Sequence, residues 1–142
     1  MKTKFTILFV LLFLTVLASA CGSTPTGTGK VTSVFTEAEA TTVADNALNA
    51  LNTGDYAAWS RDWDTSLKSA ITEEAFLDYR DQALAKVGQY QSIISVEMTP
   101  SKNAGVVRWV FTCQFEKAKV RFIMAFPQDG KLANTVMTEP VE

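Results

Sequence analysis

The sequence predicts an α+β domain in which three helices precede a four-stranded antiparallel meander and lie on the aromatic face of the sheet. Three observations carry this expectation. Apolar residues recur at helical spacing from Val43 to Val87 and then at a period of two, with Gly88 at the change. Turn signals at Pro100 to Gly105, Lys117-Ala118 and Asp129-Gly130 cut the alternating part into four strands. The chain has 142 residues, 47% hydrophobic and 20% charged, which suits one globular domain with an apolar segment at one end.

That apolar segment is the amino terminus. Lys2 and Lys4 precede an uncharged, mainly apolar stretch from Phe5 to Ala18 and the small residues Ala18, Ser19 and Ala20, the pattern of a secretory signal peptide over residues 1–20. Leu17-Ala18-Ser19-Ala20-Cys21 resembles a bacterial lipobox, which makes Cys21 the expected lipidated amino terminus. Ordinary cleavage after Ala20, leaving Cys21 as a free thiol, satisfies the same small-x-small pattern. Residues 21–33 are rich in Gly, Ser and Thr without an apolar period and read as a flexible tether; residues 34–142 form the domain.

In the domain, Thr36 and Glu39 form a capping-box signature, and Val43, Ala44, Ala47, Leu48 and Leu51 place a first helix over Glu37 to Leu51, ending near Gly54. Asp55 caps a second helical stretch in which Trp59 and Trp63 lie four apart and which runs on towards Leu67 and Ile71. Thr72 caps a third helix with Glu73 and Glu74 in its first turn, Phe76, Arg80, Ala83, Leu84 and Val87 on one stripe, and Gly88 as its stop.

Strands are expected at Gln91 to Thr99, Val106 to Glu116, Lys119 to Pro127 and Lys131 to Thr138. A two-residue turn at Lys117-Ala118 sets Glu116 opposite Lys119, Phe111 opposite Met124 and Trp109 opposite Phe126, giving one apolar face. Continuing through Asp129-Gly130 sets Phe122 opposite Met137 and Ile123 opposite Val136.

The run Ala47-Leu48-Asn49-Ala50-Leu51-Asn52-Thr53-Gly54-Asp55-Tyr56, the helix from Thr72 to Val87 and the strands after Tyr90 resemble the nuclear transport factor two-like superfamily. Within it they are most similar to a family of secreted or lipoprotein domains catalogued as domain of unknown function 3887. The resemblance implies a curved sheet wrapped round the helices as a cone, often with a pocket at its open end and often dimeric. It implies a shape more than an activity, since such cones include isomerases, dehydratases and members without known chemistry.

Composition removes several chemistries. The chain has no histidine, so no imidazole can serve as base or metal ligand, and its two cysteines, Cys21 and Cys113, build no zinc cluster. Without Lys2 and Lys4, 11 basic residues face 15 acidic ones, a net charge near −4 that disfavours nucleic acid and anionic lipid headgroups. Membrane association is expected through the lipid on Cys21.

Asp62, Asp64, Ser66 and Glu73 fit a calcium-loop spacing, but Leu67 stands where that loop needs glycine, and the acids read as surface groups and caps. Enzymes of the resembled superfamily use an Asp, sometimes with a Tyr, inside the cone. Asp62 and Asp64, with Tyr56, Tyr79 and Tyr90, are the residues that could do so here, as a small isomerase or lyase with a cavity Asp as general base. The inward positions of the central strands carry no ionisable group except Cys113, which its apolar strand makes a small buried hydrophobe.

No catalytic residue, metal or cofactor is therefore assigned. A small apolar ligand, lined by Trp59, Trp63, Tyr90, Trp109 and Phe111, or an envelope protein partner is the expected function. Arg108, Lys119 and Arg121 read as a solvated edge beside Gln114 and Glu116. Val110, Ile123 and Val136 are expected together on the outer sheet face, as an interface to a second copy or another protein.

Overall fold

The computed structural model describes residues 33–128 and 130–140. Cys21, the signal segment and the tether up to residue 32 lie outside the described residues, as does Asp129. Helices precede an antiparallel sheet, so the α+β order follows the change of period at Gly88. The elements are α1 (Glu37–Thr53), α2 (Tyr56–Trp59), α3 (Thr65–Ala70), α4 (Glu73–Val87), β1 (Tyr90–Pro100), β2 (Val106–Phe115), β3 (Lys119–Pro127) and β4 (Thr135–Pro140), with the strands in the order β1-β2-β3-β4. None of the described helices is long and apolar enough to cross a membrane.

α1 starts where the sequence places it. The Thr36 side chain accepts from the Glu39 amide, and the Glu39 carboxylate accepts from the Thr36 amide, so two otherwise orphaned donors are satisfied reciprocally. Its buried face consists of Ala40, Ala44, Ala47, Leu48, Ala50 and Leu51; the four alanines let the backbone approach its neighbours closely. Gly54, at φ 77°, ends the helix in the left-handed region and donates to Ala50. Arg80 of α4 completes this end, donating to the carbonyls of Leu51 at 2.8 Å and Asn52 at 2.9 Å. A cation at a helix carboxyl terminus is favoured by the dipole as well as by the bonds. At the other side of the helix, the Asn52 amide pairs with both backbone groups of Tyr90, each at 2.9 Å, and so ties α1 to the start of the sheet.

The expected second helix is two short ones. α2 stops at Trp59, and the chain turns through Asp64, whose side chain caps α3 by accepting from Leu67 at 2.8 Å. A tertiary contact forces the break. Trp63 pairs with Ala133 in an isolated parallel bridge, with Ala133 donating to Asp62 at 2.8 Å and Asp64 donating to Ala133 at 2.9 Å. A continuous helix would consume these backbone groups internally.

Both hairpin registers differ from expectation. In β2–β3, Phe111 faces Phe122, Trp109 faces Met124 and Gln114 faces Lys119, two residues from the expected pairing. The two-residue turn is Glu116-Lys117, closed by the Phe115 amide on Ala118. Both turn residues are held by the end of α4: Glu116 donates to Gln89, Lys117 donates to Val87, and the Glu116 carboxylate accepts from the Gln89 amide. An even shift preserves facing, so the apolar face remains intact.

In β3–β4 the shift is one residue: Ile123 faces Met137 and Met124 faces Val136. The chain does not turn into β4 directly after Gly130. Gly130 donates to Pro127, Ala133 is drawn to the Asp62–Asp64 turn, and β4 begins only at Thr135. Because side chains alternate, an odd shift reverses every residue of the strand. β1 carries two irregularities, between Tyr90 and Ser92 and between Ile93 and Ser95, and its burial no longer alternates.

The core lies between α1, α2, the end of the α2–α3 turn and the inner sheet face. Trp63, Phe76, Phe111, Phe115, Phe122 and Phe126 are its largest fully buried side chains. Trp59 sits at its centre, 4.3 Å from both the Trp63 and the Phe76 ring centroids.

Candidate functional site, an apolar gap under the last helix

α4 is held by Phe76 near its start, by Arg80 on the end of α1 and by its carboxyl end, while most of its other residues stay outside the core. Only Phe76 of its 15 residues is buried, packed on Trp59 and, at 5.8 Å, on Tyr56. At the carboxyl end the helix is fixed by Gly88, Glu116 and Lys117, as described above. Gly88 has φ 76°, and a Cβ there would stand 2.6 Å from Glu116, so the close approach requires glycine. Between its anchors, the helix bridges a gap above the sheet.

The gap holds two cavities. The first, of about 230 Å³, is half open and lined by Ile71, Ala75, Phe76 and Tyr79 on one side and by Leu48, Leu51, Trp59, Phe122, Val136 and Thr138 on the other. The second, of about 290 Å³, lies further along α4 between Tyr79, Gln82, Ala83, Lys86 and Val87 and the residues Leu51, Phe115, Val120 and Thr138. Leu51, Tyr79 and Thr138 line both. The helix supplies its lining at offsets of three and four, which places Ala75, Tyr79, Gln82, Ala83 and Lys86 on one face.

Tyr79 and Thr138 share a hydrogen bond of 2.6 Å between their hydroxyls, joining α4 to β4 at the boundary of the two cavities. The Tyr79 ring also stacks on Trp59 at 6.3 Å. Desolvation holds its phenol above the usual tyrosine range, and the bond to Thr138 opposes this in part. Tyr79 is therefore a neutral hydroxyl at physiological pH. Neither lining contains a carboxylate.

The expected site residues are dispersed. Trp59 faces the first cavity. Trp63, Trp109 and Phe111 are buried in the core, with the Trp63 and Trp109 indole N–H groups lacking acceptors among the described residues. Tyr90 is also buried; its hydroxyl donates to Asp45, which accepts from Asn49 as well. Burial and the Asp45 carboxylate raise the Tyr90 pKa far above the normal value.

Asp62 pairs with Arg61 at 2.8 Å, Asp64 caps α3, Glu73 sits in the first turn of α4, and the Tyr56 hydroxyl donates to the Ile71 carbonyl. Among the described residues no three histidine, cysteine, aspartate or glutamate side chains form a metal-binding group. Val110 and Ile123 are paired on the outer face, 5% and 2% exposed. Val136 is not with them: the one-residue shift turns it inward, into the first cavity.

Sequence reasoning missed Ile71, Ala75, Thr138 and Val136 as cavity residues. The visible signal was the α4 stripe itself, which carries Tyr79, Gln82 and Lys86 where a helix packed along its full length would carry apolar residues.

Helices followed by an antiparallel sheet, with apolar space between α4 and the sheet, define an α+β architecture. Residues 44–134 match the family described as protein of unknown function (DUF3887), and the chain belongs to that family. No curated protein and no solved structure matches the chain.

Proposed function

We propose that this protein is a lipid-anchored extracytoplasmic domain that binds a small apolar molecule between α4 and the sheet, without catalysis, on a cone of the nuclear transport factor two-like kind. The observation that carries the reading is the first cavity, whose lining is apolar apart from the mutually bonded hydroxyls of Tyr79 and Thr138. The alternative, an isomerase or lyase with a cavity Asp as general base, finds no carboxylate in either lining. The anchor rests on the signal pattern ending at Cys21, and the cone on the resemblance together with the bulges that bend β1.

The test uses the full chain in phosphatidylcholine nanodiscs, with empty discs as the blank, and a neutral probe, 12-bromododecan-1-ol. Saturable quenching of tryptophan emission is expected, because Trp59 lines the cavity. Ala75→Phe, which adds volume from an exposed helix position, should weaken it about tenfold. Quenching that never saturates, or that Ala75→Phe leaves unchanged, overturns the reading.

A further inference from the structure

We propose that the two cavities are halves of one channel and that its ligand is a single-chain amphiphile with an anionic head, its tail beside Trp59 and its head at Lys86. This rests on the apolar-binding reading above and adds the ligand's chemistry and direction. Each cavity alone is smaller than the roughly 300 Å³ at the lower end of ligand pockets, whereas a joined channel falls within the range. The cavities share Leu51, Tyr79 and Thr138 as lining, and the last two are bonded to each other. From Ala75 to Lys86 the helix rises about 16 Å at 1.5 Å per residue, the reach of an extended chain of about a dozen carbons. That length favours one acyl chain.

The channel is polar at one end only. The first cavity has no charged residue, and the second has Gln82 and Lys86 at the far end of the helix face. Among the described residues Lys86 has no ion-pair partner. A lysine in a last helical turn ordinarily complements the negative end of the dipole. Here other groups already serve those carbonyls: Gly88 donates to Leu84 at 2.9 Å, the Lys117 ammonium to Ala85 at 3.2 Å and the Lys117 amide to Val87 at 2.9 Å. Lys86 is thus left to meet an anion at the mouth. The Tyr79–Thr138 bond acts as a latch that a long tail must open.

The experiment titrates 12-bromododecanoic acid, 2-bromododecanoic acid and 12-bromododecan-1-ol against the full chain in the same nanodiscs, reading tryptophan quenching. The 12-bromo acid should bind about tenfold tighter than the alcohol and quench strongly, while the 2-bromo acid binds but quenches weakly, since its bromine lies at the Lys86 end. Lys86→Glu should remove the acid's advantage over the alcohol, with an unchanged far-ultraviolet circular dichroism spectrum showing that the variant is folded. Tyr79→Phe should tighten the 12-bromo acid about fivefold, the value of one hydrogen bond no longer broken. Equal binding of acid and alcohol, or stronger quenching by the 2-bromo acid, overturns the head assignment while the apolar cavity stands. Weaker binding to Tyr79→Phe overturns the latch. Absence of binding by the alcohol and both acids overturns the underlying reading as well.

Discussion

Phe111 and Phe122 show what a single core side chain carries here. They face each other across β2 and β3 with ring centroids 6.2 Å apart and are 0% and 2% exposed. Replacing either by alanine should cost about 3 to 5 kcal/mol through lost burial and a residual cavity. Because they share that cavity, the double variant should cost less than the sum of the singles. Thr112→Ala, one step out of phase, should cost less than about 1 kcal/mol, and urea titrations of the four proteins check all three expectations. Cys113 is equally buried, and burial pushes its thiol up to about 12. A free thiol titrates near pH 8.5, so the native fold favours the protonated form over that interval. The resulting stability is complete below about pH 8.5 and is lost as pH rises towards the folded value. The urea midpoint should fall above that pH, with a flatter fall in Cys113→Ala, and Cys113 should react with a disulfide reagent only once urea has unfolded the chain.

At the scale of elements, the sequence was legible wherever local chemistry decided the outcome. The Thr36–Glu39 capping box, the Thr72 cap, the Gly54 and Gly88 stops and the period-two stretches of β2 and β3 stand where the residues place them. Illegible were the positions held by distant partners. The Trp63–Ala133 bridge breaks the second helix and delays β4, and the end of α4 selects Glu116-Lys117 as the turn. No local propensity encodes either contact, and one residue of slip sufficed to move Val136 from the outer face into the cavity. The α4–turn junction makes this testable. Gly88→Ala places a methyl 2.6 Å from Glu116 at φ 76°, whereas Gly105, with the same φ, has nothing within 4 Å of the added carbon. Gly105→Ala should cost about 1 kcal/mol and Gly88→Ala at least twice that. Hydrogen exchange in Gly88→Ala should quicken at the Glu116 and Lys117 amides, which lose their acceptors on Gln89 and Val87. Equal costs and unchanged exchange would mean that the junction does not hold the register.

For the whole molecule, the proposed lipid on Cys21 is the reading on which location depends. If Cys21 carries the lipid, Cys21→Ala should leave the membrane fraction and lose palmitate labelling, with the fold unchanged because the change lies ahead of the domain. Retention in the membrane fraction would overturn the lipoprotein assignment. The outer sheet face calls for a milder probe than a charge: Ile123 is 2% exposed within one chain, so Ile123→Lys would bury an ammonium and unfold the domain instead of dividing two copies. Ile123→Ala, read by sedimentation beside the unmodified chain, separates a self-association surface from sheet packing. By itself the sequence determined the α+β order, the starts of α1, α2 and α4 and the cores of β2 and β3, because each is written in adjacent residues. Tertiary structure alone decided the site. The cavity lies beneath α4, which buries only Phe76 and is held by Arg80 and Gly88, and it includes Val136 because the β3–β4 register, set beyond a bridge more than sixty residues long in sequence, turns that residue inward. Those contacts join groups far apart along the chain, and side-chain periodicity has no memory over that distance.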